Sequence, residues 1–208
     1  MAKRRRKPRL FSFSREVEIA NFDEVVTAPE DRRALEALID AFIAICHTQT
    51  LSPETLMPVA RAAQHRSEHV RGVGITRLTV LTHYFDEAAT VLERVARDAE
   101  ESVRLYACAA LANTPPPVGI PLIERALEDP SWRVRKAAGQ AAGAVAWPEL
   151  TPILNSRLAR EPDARVQVVL QLAVEFQAQA QHQHQHQHQH QHQHQHQHQA
   201  EAQPEPEP

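Results

Sequence analysis

Leu127-Glu128-Asp129-Pro130-Ser131-Trp132-Arg133-Val134-Arg135-Lys136-Ala137-Ala138 carries a pattern that returns before and after it: an acidic turn, then Val-Arg, then small residues. With the valine as origin, Val70-Arg71, Val103-Arg104, Val134-Arg135 and Val166-Gln167 recur at steps of 33, 31 and 32 residues. A fixed period of this length marks stacked supersecondary units rather than one globular core. Five residues before the valine stands an acid in three copies, Asp98, Asp129 and Glu161, and His65 in the first.

Working outward, each unit reads as a helix A carrying Val-Arg, a turn, and a helix B that ends before the next acidic turn. Helix A is expected over 67–83, 101–112, 131–145 and 163–177, and helix B over 86–97, 118–128 and 148–160. Three, four, seven and eight residues after the valine stand Tyr106, Ala107, Ala110 and Leu111 in one copy and Ala137, Ala138, Ala141 and Ala142 in the next, the spacing of a buried helical stripe. Pro115-Pro116-Pro117 and Trp147-Pro148 mark A-to-B turns, since proline opens a helix well but cannot continue one. Upstream, Thr27 to Glu30 reads as a capping box with Pro29 in the first turn, and Ser52-Pro53-Glu54 starts the next helix in the same manner. Pro58 falls late enough to kink that helix. Residues 11–26, with Phe11, Phe13, Val17, Ile19 and Phe22, read as a short strand or an irregular cap.

The 208 residues are 42% apolar with only 5% aromatic, and glycine is scarce at 5. That composition suits thin helical layers. The formal charge of -3 hides an asymmetry: six of the 23 basic residues, Lys3, Arg4, Arg5, Arg6, Lys7 and Arg9, lie in an N-terminal arm, leaving 17 against 26 acids. Cys46 and Cys108 follow no metal or redox spacing and read as reduced core thiols of a cytosolic protein. No apolar run approaches the length of a membrane helix or a signal core, so a soluble, cytoplasmic protein is expected. The domain reading is a disordered basic arm over 1–10, a solenoid over 11–178, and a disordered Gln-His and Pro-Glu tail over 179–208.

The acidic turn, the Val-Arg pair and the Ala-rich helix A, at a period of about 32 residues, resemble the HEAT-repeat superfamily, in particular its short-period branch with the phycobilisome-lyase-like repeats. The resemblance covers about residues 30–177. It implies an all-α, right-handed α-solenoid of about four to five two-helix repeats. It also implies a ladder between repeats built from the turn acid and the arginine six residues on, here Asp98 with Arg104 and Asp129 with Arg135, broken at the ends where His65 faces Arg71 and Glu161 faces Gln167. Of the enzymatic branches, the iron hydroxylases carry His-Glu ligand pairs, and this chain has only the reversed Glu68-His69. Glycosylase-like members use aromatic side chains in a basic cleft. Trp132 and Trp147 both lie at turns, where packing on a neighbouring repeat is their expected job.

Three constellations carry the functional reading. Nine residues before each valine stands an arginine, Arg61, Arg94, Arg125 and Arg157, opposite the buried side of helix B. With helices about 8 to 10 Å apart, the row would span on the order of 30 Å, suiting an extended acidic partner or a phosphate backbone. Alternatively, Arg94, Arg125 and Arg157 are i+4 partners of Asp98, Asp129 and Glu161. The basic arm suits nucleic acid, an anionic surface or an import receptor, or is a solvated tail. In the tail, His182, His184, His186, His188, His190, His192, His194, His196 and His198 would share one side of an extended chain and chelate Ni, Zn or Cu, or are a low-complexity expansion with incidental metal affinity. The expected function is a non-enzymatic scaffold binding another protein through its concave face; the alternatives are a nucleic-acid binder and a metal binder. The sequence leaves the oligomeric state open.

Overall fold

The computed structural model describes residues 14–201, with side chains through residue 183. The described chain is all-helical: α1 (Arg15–Ala20), α2 (Pro29–Thr48), α3 (Pro53–Ala63), α4 (Glu68–Leu81), α5 (Asp86–Val95), α6 (Glu101–Ala109), a single 3-10 turn (Leu111–Asn113), α7 (Pro116–Ala126), α8 (Trp132–Gly143), α9 (Leu150–Leu158) and α10 (Ala164–Glu201). Helices pack mainly on their neighbours in sequence and, along α4, α6, α8 and α10, on the helix two places on, so these four form one layer and α3, α5, α7 and α9 the other. This is the α-solenoid that the period implies.

Local chemistry explains most of the boundaries. Ser52 caps α3 by accepting from the Thr55 N–H at 3.3 Å, while the Thr55 hydroxyl accepts from the Ser52 N–H at 3.1 Å. The box expected at Thr27 does not form. Pro29 occupies the first helical position of α2, which makes Ala28 the N-cap and moves Thr27 outside the helix; Glu30 and Asp31 offset the dipole instead. Of residues 11–26, Phe11 and Phe13 lie outside the described residues; 14–26 contribute the short α1 and no strand, and Ile19 is buried together with Val26 from the following turn. Pro115 is the N-cap of α7 and Pro116 its first residue, as proline's fixed φ favours.

The four origin valines, Val70, Val103, Val134 and Val166, are each at most 1% exposed, and every one anchors its helix in the shared core. Small residues let the layers close. A methyl group added at Gly74 would lie 2.4 Å from the Ala63 backbone nitrogen, so α4 sits directly on the backbone of α3. Ala137, Ala138, Ala141 and Ala142 are buried between α8 and its neighbours, and Gly139 admits Val169 and Leu170 of α10.

The backbone of the last helix, α10, continues through the Gln-Ala and Gln-His dipeptides to Glu201. Buried Gln177 donates from Nε2 to the Ala142 and Val145 carbonyls, and Gln181 Nε2 donates to Thr151 Oγ1 at 3.1 Å. Gln177 thus satisfies carbonyls at the end of α8 and Gln181 ties α10 to α9, roles that apolar periodicity does not register. The basic arm and residues 202–208 lie outside the described residues.

Two glycines separate close approach from open space. Gly74→Ala should destabilise the protein by about 1 to 3 kcal/mol, because backbone cannot yield to the new methyl group. At Gly143 the same change meets only Ala173 at 3.5 Å, so Gly143→Ala should be neutral or stabilising by up to about 1 kcal/mol. Denaturant midpoints of the two variants moving in the same direction would contradict this reading.

Candidate functional site

The ladder is present, but each arginine pairs differently from the expectation. Arg104 donates from Nη1 to the carbonyls of Asp98 and Ala99 in its own turn, at 2.9 and 3.0 Å. Its Nε and Nη2 then form a fork on Asp129 of the following repeat, at 2.8 and 3.2 Å. Arg135 repeats the arrangement: Nη1 donates to the Asp129 and Pro130 carbonyls, while Nε and Nη2 both lie 2.9 Å from the Glu161 carboxylate. The pairs are therefore Arg104 with Asp129 and Arg135 with Glu161, not Asp98 with Arg104 and Asp129 with Arg135. The reason is reach: six residues along the chain, the arginine faces its own turn's carbonyls, and only the next turn presents a carboxylate to the fork.

The turn residue has a second task that spacing alone does not reveal. Asp98, Asp129 and Glu161 each accept from the backbone N–H two residues on, those of Glu100, Ser131 and Asp163, at 2.9, 2.9 and 3.0 Å. His65 does the same through Nδ1, accepting from the Ser67 N–H at 3.2 Å, which explains how histidine substitutes for an acid there. At the other end, Gln167 keeps only the inner half of the arginine's role and donates from Nε2 to the Glu161 carbonyl.

The first rung lacks its outer half. Arg71, 2% exposed, donates from Nη1 to the His65 and Arg66 carbonyls, but its Nε is buried without an acceptor. The acid that would receive it, Asp98, accepts from Gln64 Nε2 at 2.7 Å instead. The Arg71 guanidinium lies over the ring of Tyr106, 4.8 Å from the centroid, in place of a carboxylate. Tyr106 leans on Gly72 and donates its hydroxyl to Glu68 at 3.1 Å. Across α4, a cleft of about 430 Å³ opens between Phe22 and Tyr106.

The arginine row divides. Arg157 is buried; its guanidinium binds Glu161 through Nε and Nη2, at 3.0 and 2.6 Å, and Glu128 through Nη1 at 2.9 Å. Arg61, Arg94 and Arg125 are exposed and have no ion pair or hydrogen-bond acceptor among the described residues. The expected i+4 pairs Arg94 with Asp98 and Arg125 with Asp129 are absent because those acids are already engaged by Gln64 and Arg104. Of the three turn acids, the longer Glu161 reaches two guanidinium groups, those of Arg135 and Arg157. Between α5 and α7 lies a cleft of about 370 Å³ floored by Ala89, Val118 and Leu122. It meets a second cleft of about 620 Å³ at the turns, and both are lined by Arg97, Leu122 and Arg125. Arg97 is paired with Glu93, which leaves Arg125 as the uncommitted cation of this groove.

Electrostatics concentrates at Glu161. Burial alone would raise its pKa, but hydrogen bonds from Arg135, from the Asp163 N–H and from Arg157 outweigh that and hold the carboxyl at about 2. Burial pushes the Cys108 thiol up to about 12, and it donates weakly to the Val134 carbonyl; Cys46 is raised for the same cause. Both thiols are buried and unpaired, which makes them core groups and poor nucleophiles. Both tryptophans pack against a neighbouring repeat: Arg165 of α10 stacks 3.5 Å above the Trp132 ring, and Trp147 fills the space beside Gly119.

Lys3, Arg4, Arg5, Arg6, Lys7 and Arg9 lie outside the described residues. His182 is exposed on α10, and the side chains of the other eight tail histidines also lie outside them. Among the described residues no group of three or more His, Cys, Asp or Glu side chains converges on a metal-sized site, and no helix is long and apolar enough to cross a membrane.

With this geometry in hand, residues 88–175 match the family model of HEAT repeats. The match runs from α5 into α10 and takes in both complete rungs of the ladder. Comparison with curated proteins gives no match. HEAT-repeat domains commonly serve as protein-interaction scaffolds.

Two outcomes follow from the ladder. Arg135→Ala removes one of the two guanidinium groups on buried Glu161 and the donor to the Asp129 and Pro130 carbonyls, and should cost about 1 to 3 kcal/mol, whereas Arg125→Ala loses only a solvated group and should stay within about 0.5 kcal/mol of the parent. Equal shifts in denaturant midpoint would refute the difference. The second outcome concerns pH. Since the folded pKa of Glu161 lies below its unfolded value of about 4.3, its stabilisation is complete above that value and disappears as the pH falls toward 2. Glu161→Gln should therefore be less stable than the parent at neutral pH, with the gap closing in acid; a gap constant from pH 7 to 2 would remove Glu161 as the source.

Proposed function

We propose that this chain is a non-enzymatic, cytoplasmic HEAT-repeat scaffold of the short-period, phycobilisome-lyase-like branch, and that it binds another protein through the face lined by α3, α5, α7 and α9. The observation that carries the reading is the division of the arginine row. Arg61, Arg94 and Arg125 are exposed and uncommitted, while most charged groups around them are paired with one another. A cation that contributes nothing to the fold is available to a partner's carboxylate. Beside Arg125 the apolar floor of Ala89, Val118 and Leu122 offers room for side chains of an extended segment. Two buried thiols without a disulfide fit a reducing compartment.

A protein suits this surface better than a nucleic acid. Glu93 and Glu124 lie on the same helices as Arg94 and Arg125, Glu128 follows at the turn after α7, and together they dilute the positive field that a phosphate backbone needs. Acids and bases interspersed over an apolar floor suit the mixed chemistry of a polypeptide.

The test is a triple variant, Arg61→Gln, Arg94→Gln and Arg125→Gln, with Arg157 left intact because it belongs to the buried network. It should melt with the parent and lose the parent's partner in a pull-down, while the parent keeps that partner after nuclease treatment. Loss of the parent's partner to nuclease, with affinity falling steeply as salt rises, would establish nucleic-acid binding instead. Retention of the partner by the triple variant would end the case for the arginine row.

A further inference from the structure

The first rung of the ladder differs from the next in what occupies a single carboxylate oxygen. Asp129 accepts from the Ser131 N–H through Oδ1 at 2.9 Å and from Arg104 Nε through Oδ2 at 2.8 Å. Asp98 uses its Oδ1 in the same way, accepting from the Glu100 N–H at 2.9 Å, but its Oδ2 accepts from Gln64 Nε2 at 2.7 Å. The acid thus caps its turn as a rung acid does, and an amide holds the oxygen that the arginine of the preceding repeat would take. That arginine, Arg71, is 2% exposed and leaves its Nε buried without an acceptor.

Two residues at this seam have no counterpart at the others. Six residues before the origin valine stand Gln64, Arg97, Glu128 and Arg160. Arg97 pairs with Glu93 and Arg160 with Glu128, so among the described residues Gln64 alone reaches from this position to the acid of the following turn. Three residues after the valine stand Val73, Tyr106, Ala137 and Val169. The helices stacked after Arg104 and Arg135 therefore carry alanine and valine here, whereas the helix stacked after Arg71 carries Tyr106, whose ring centroid lies 4.8 Å from the guanidinium. Tyr106 is itself held in place by donating its hydroxyl to Glu68. The donor that intercepts the acid and the ring that receives the cation occur together, at one seam.

Neither substitute is strong. Gln64 is exposed, so water can take over its amide at little cost. A buried N–H without an acceptor is costly, and a guanidinium fork on a carboxylate outweighs a single neutral donor. We propose that the first rung is exchangeable: Gln64 is a latch that withholds Asp98 from Arg71, and release of its amide lets Asp98 turn to the Arg71 fork and close the rung as in the two later repeats. Tyr106 holds the guanidinium while the latch is shut, and this cation–π contact offsets part of the difference between the two arrangements. The exchange joins an exposed group at the end of α3 to a buried one on α4, so an event at the surface changes how two repeats are bonded.

The experiment compares the full chain with Gln64→Ala. Arg71→Gln probes the fork, because Gln167 already fills this position in the last repeat and keeps the bond to its turn carbonyl. Asp98→Asn keeps an oxygen for the Glu100 N–H and removes the charge. In the parent, the shifts in denaturant midpoint caused by these two changes should add; in the Gln64→Ala background, the double variant should shift the midpoint by less than their sum, as residues in contact do. The Arg71 Nε–H resonance gives a second reading that leaves the core untouched: in Gln64→Ala it should move toward those of Arg104 and Arg135. Additive shifts in the Gln64→Ala background overturn the proposal, as does an Arg71 resonance that stays at its position in the parent. Coupling between Arg71 and Asp98 already present in the parent would equally remove Gln64 as the latch.

Discussion

The arginine that belongs to two turns at once is the interaction on which the array depends. One nitrogen of Arg104 or Arg135 satisfies carbonyls of its own turn, and the other two engage the carboxylate of the next. A buried ion pair holds only when the attraction and the accompanying hydrogen bonds outweigh the loss of water. Here both partners are hydrogen-bonded beyond the pair itself: the arginine by backbone carbonyls, the acid by the N–H that opens the next helix. No repeat completes its polar bonding alone, so the turn of each unit is finished by its neighbour, and the coupling passes along the stack.

Packing divides the labour between the two layers. Helices α6, α8 and α10 approach one another through alanine and glycine and leave little room, whereas clefts open between α5 and α7. The tight layer carries the ladder at its edge and holds the fold. The looser layer presents exposed arginines whose loss the fold tolerates. The fold and the proposed recognition thus draw on different residues, with Arg135 and Arg125, ten positions apart, as representatives of each.

Much of this was legible in the chain. The period, the helix spans, the buried alanine stripe and the core valines follow from residue spacing, since a helix repeats its faces at a rate that sequence displays directly. Partner choice does not follow, because spacing along the chain cannot say which of two successive turns a long side chain reaches. Hence the ladder was assigned one repeat too early, and Arg157 was grouped with its exposed counterparts although Glu161 draws it inward. The capping box at Thr27 failed by one residue, for Pro29 fixes the helix start more firmly than a threonine hydroxyl.

Arg71 gives the array an internal boundary. Its fork meets an aromatic ring where the later rungs meet a carboxylate, and the acid that would complete it is held by Gln64 from the preceding helix. In a linear assembly, cooperativity extends only as far as neighbouring units are coupled. The seam between α4 and α6 is therefore held by an aromatic ring and by the Tyr106 and Gln64 hydrogen bonds, where the later seams are held by a carboxylate in an arginine fork.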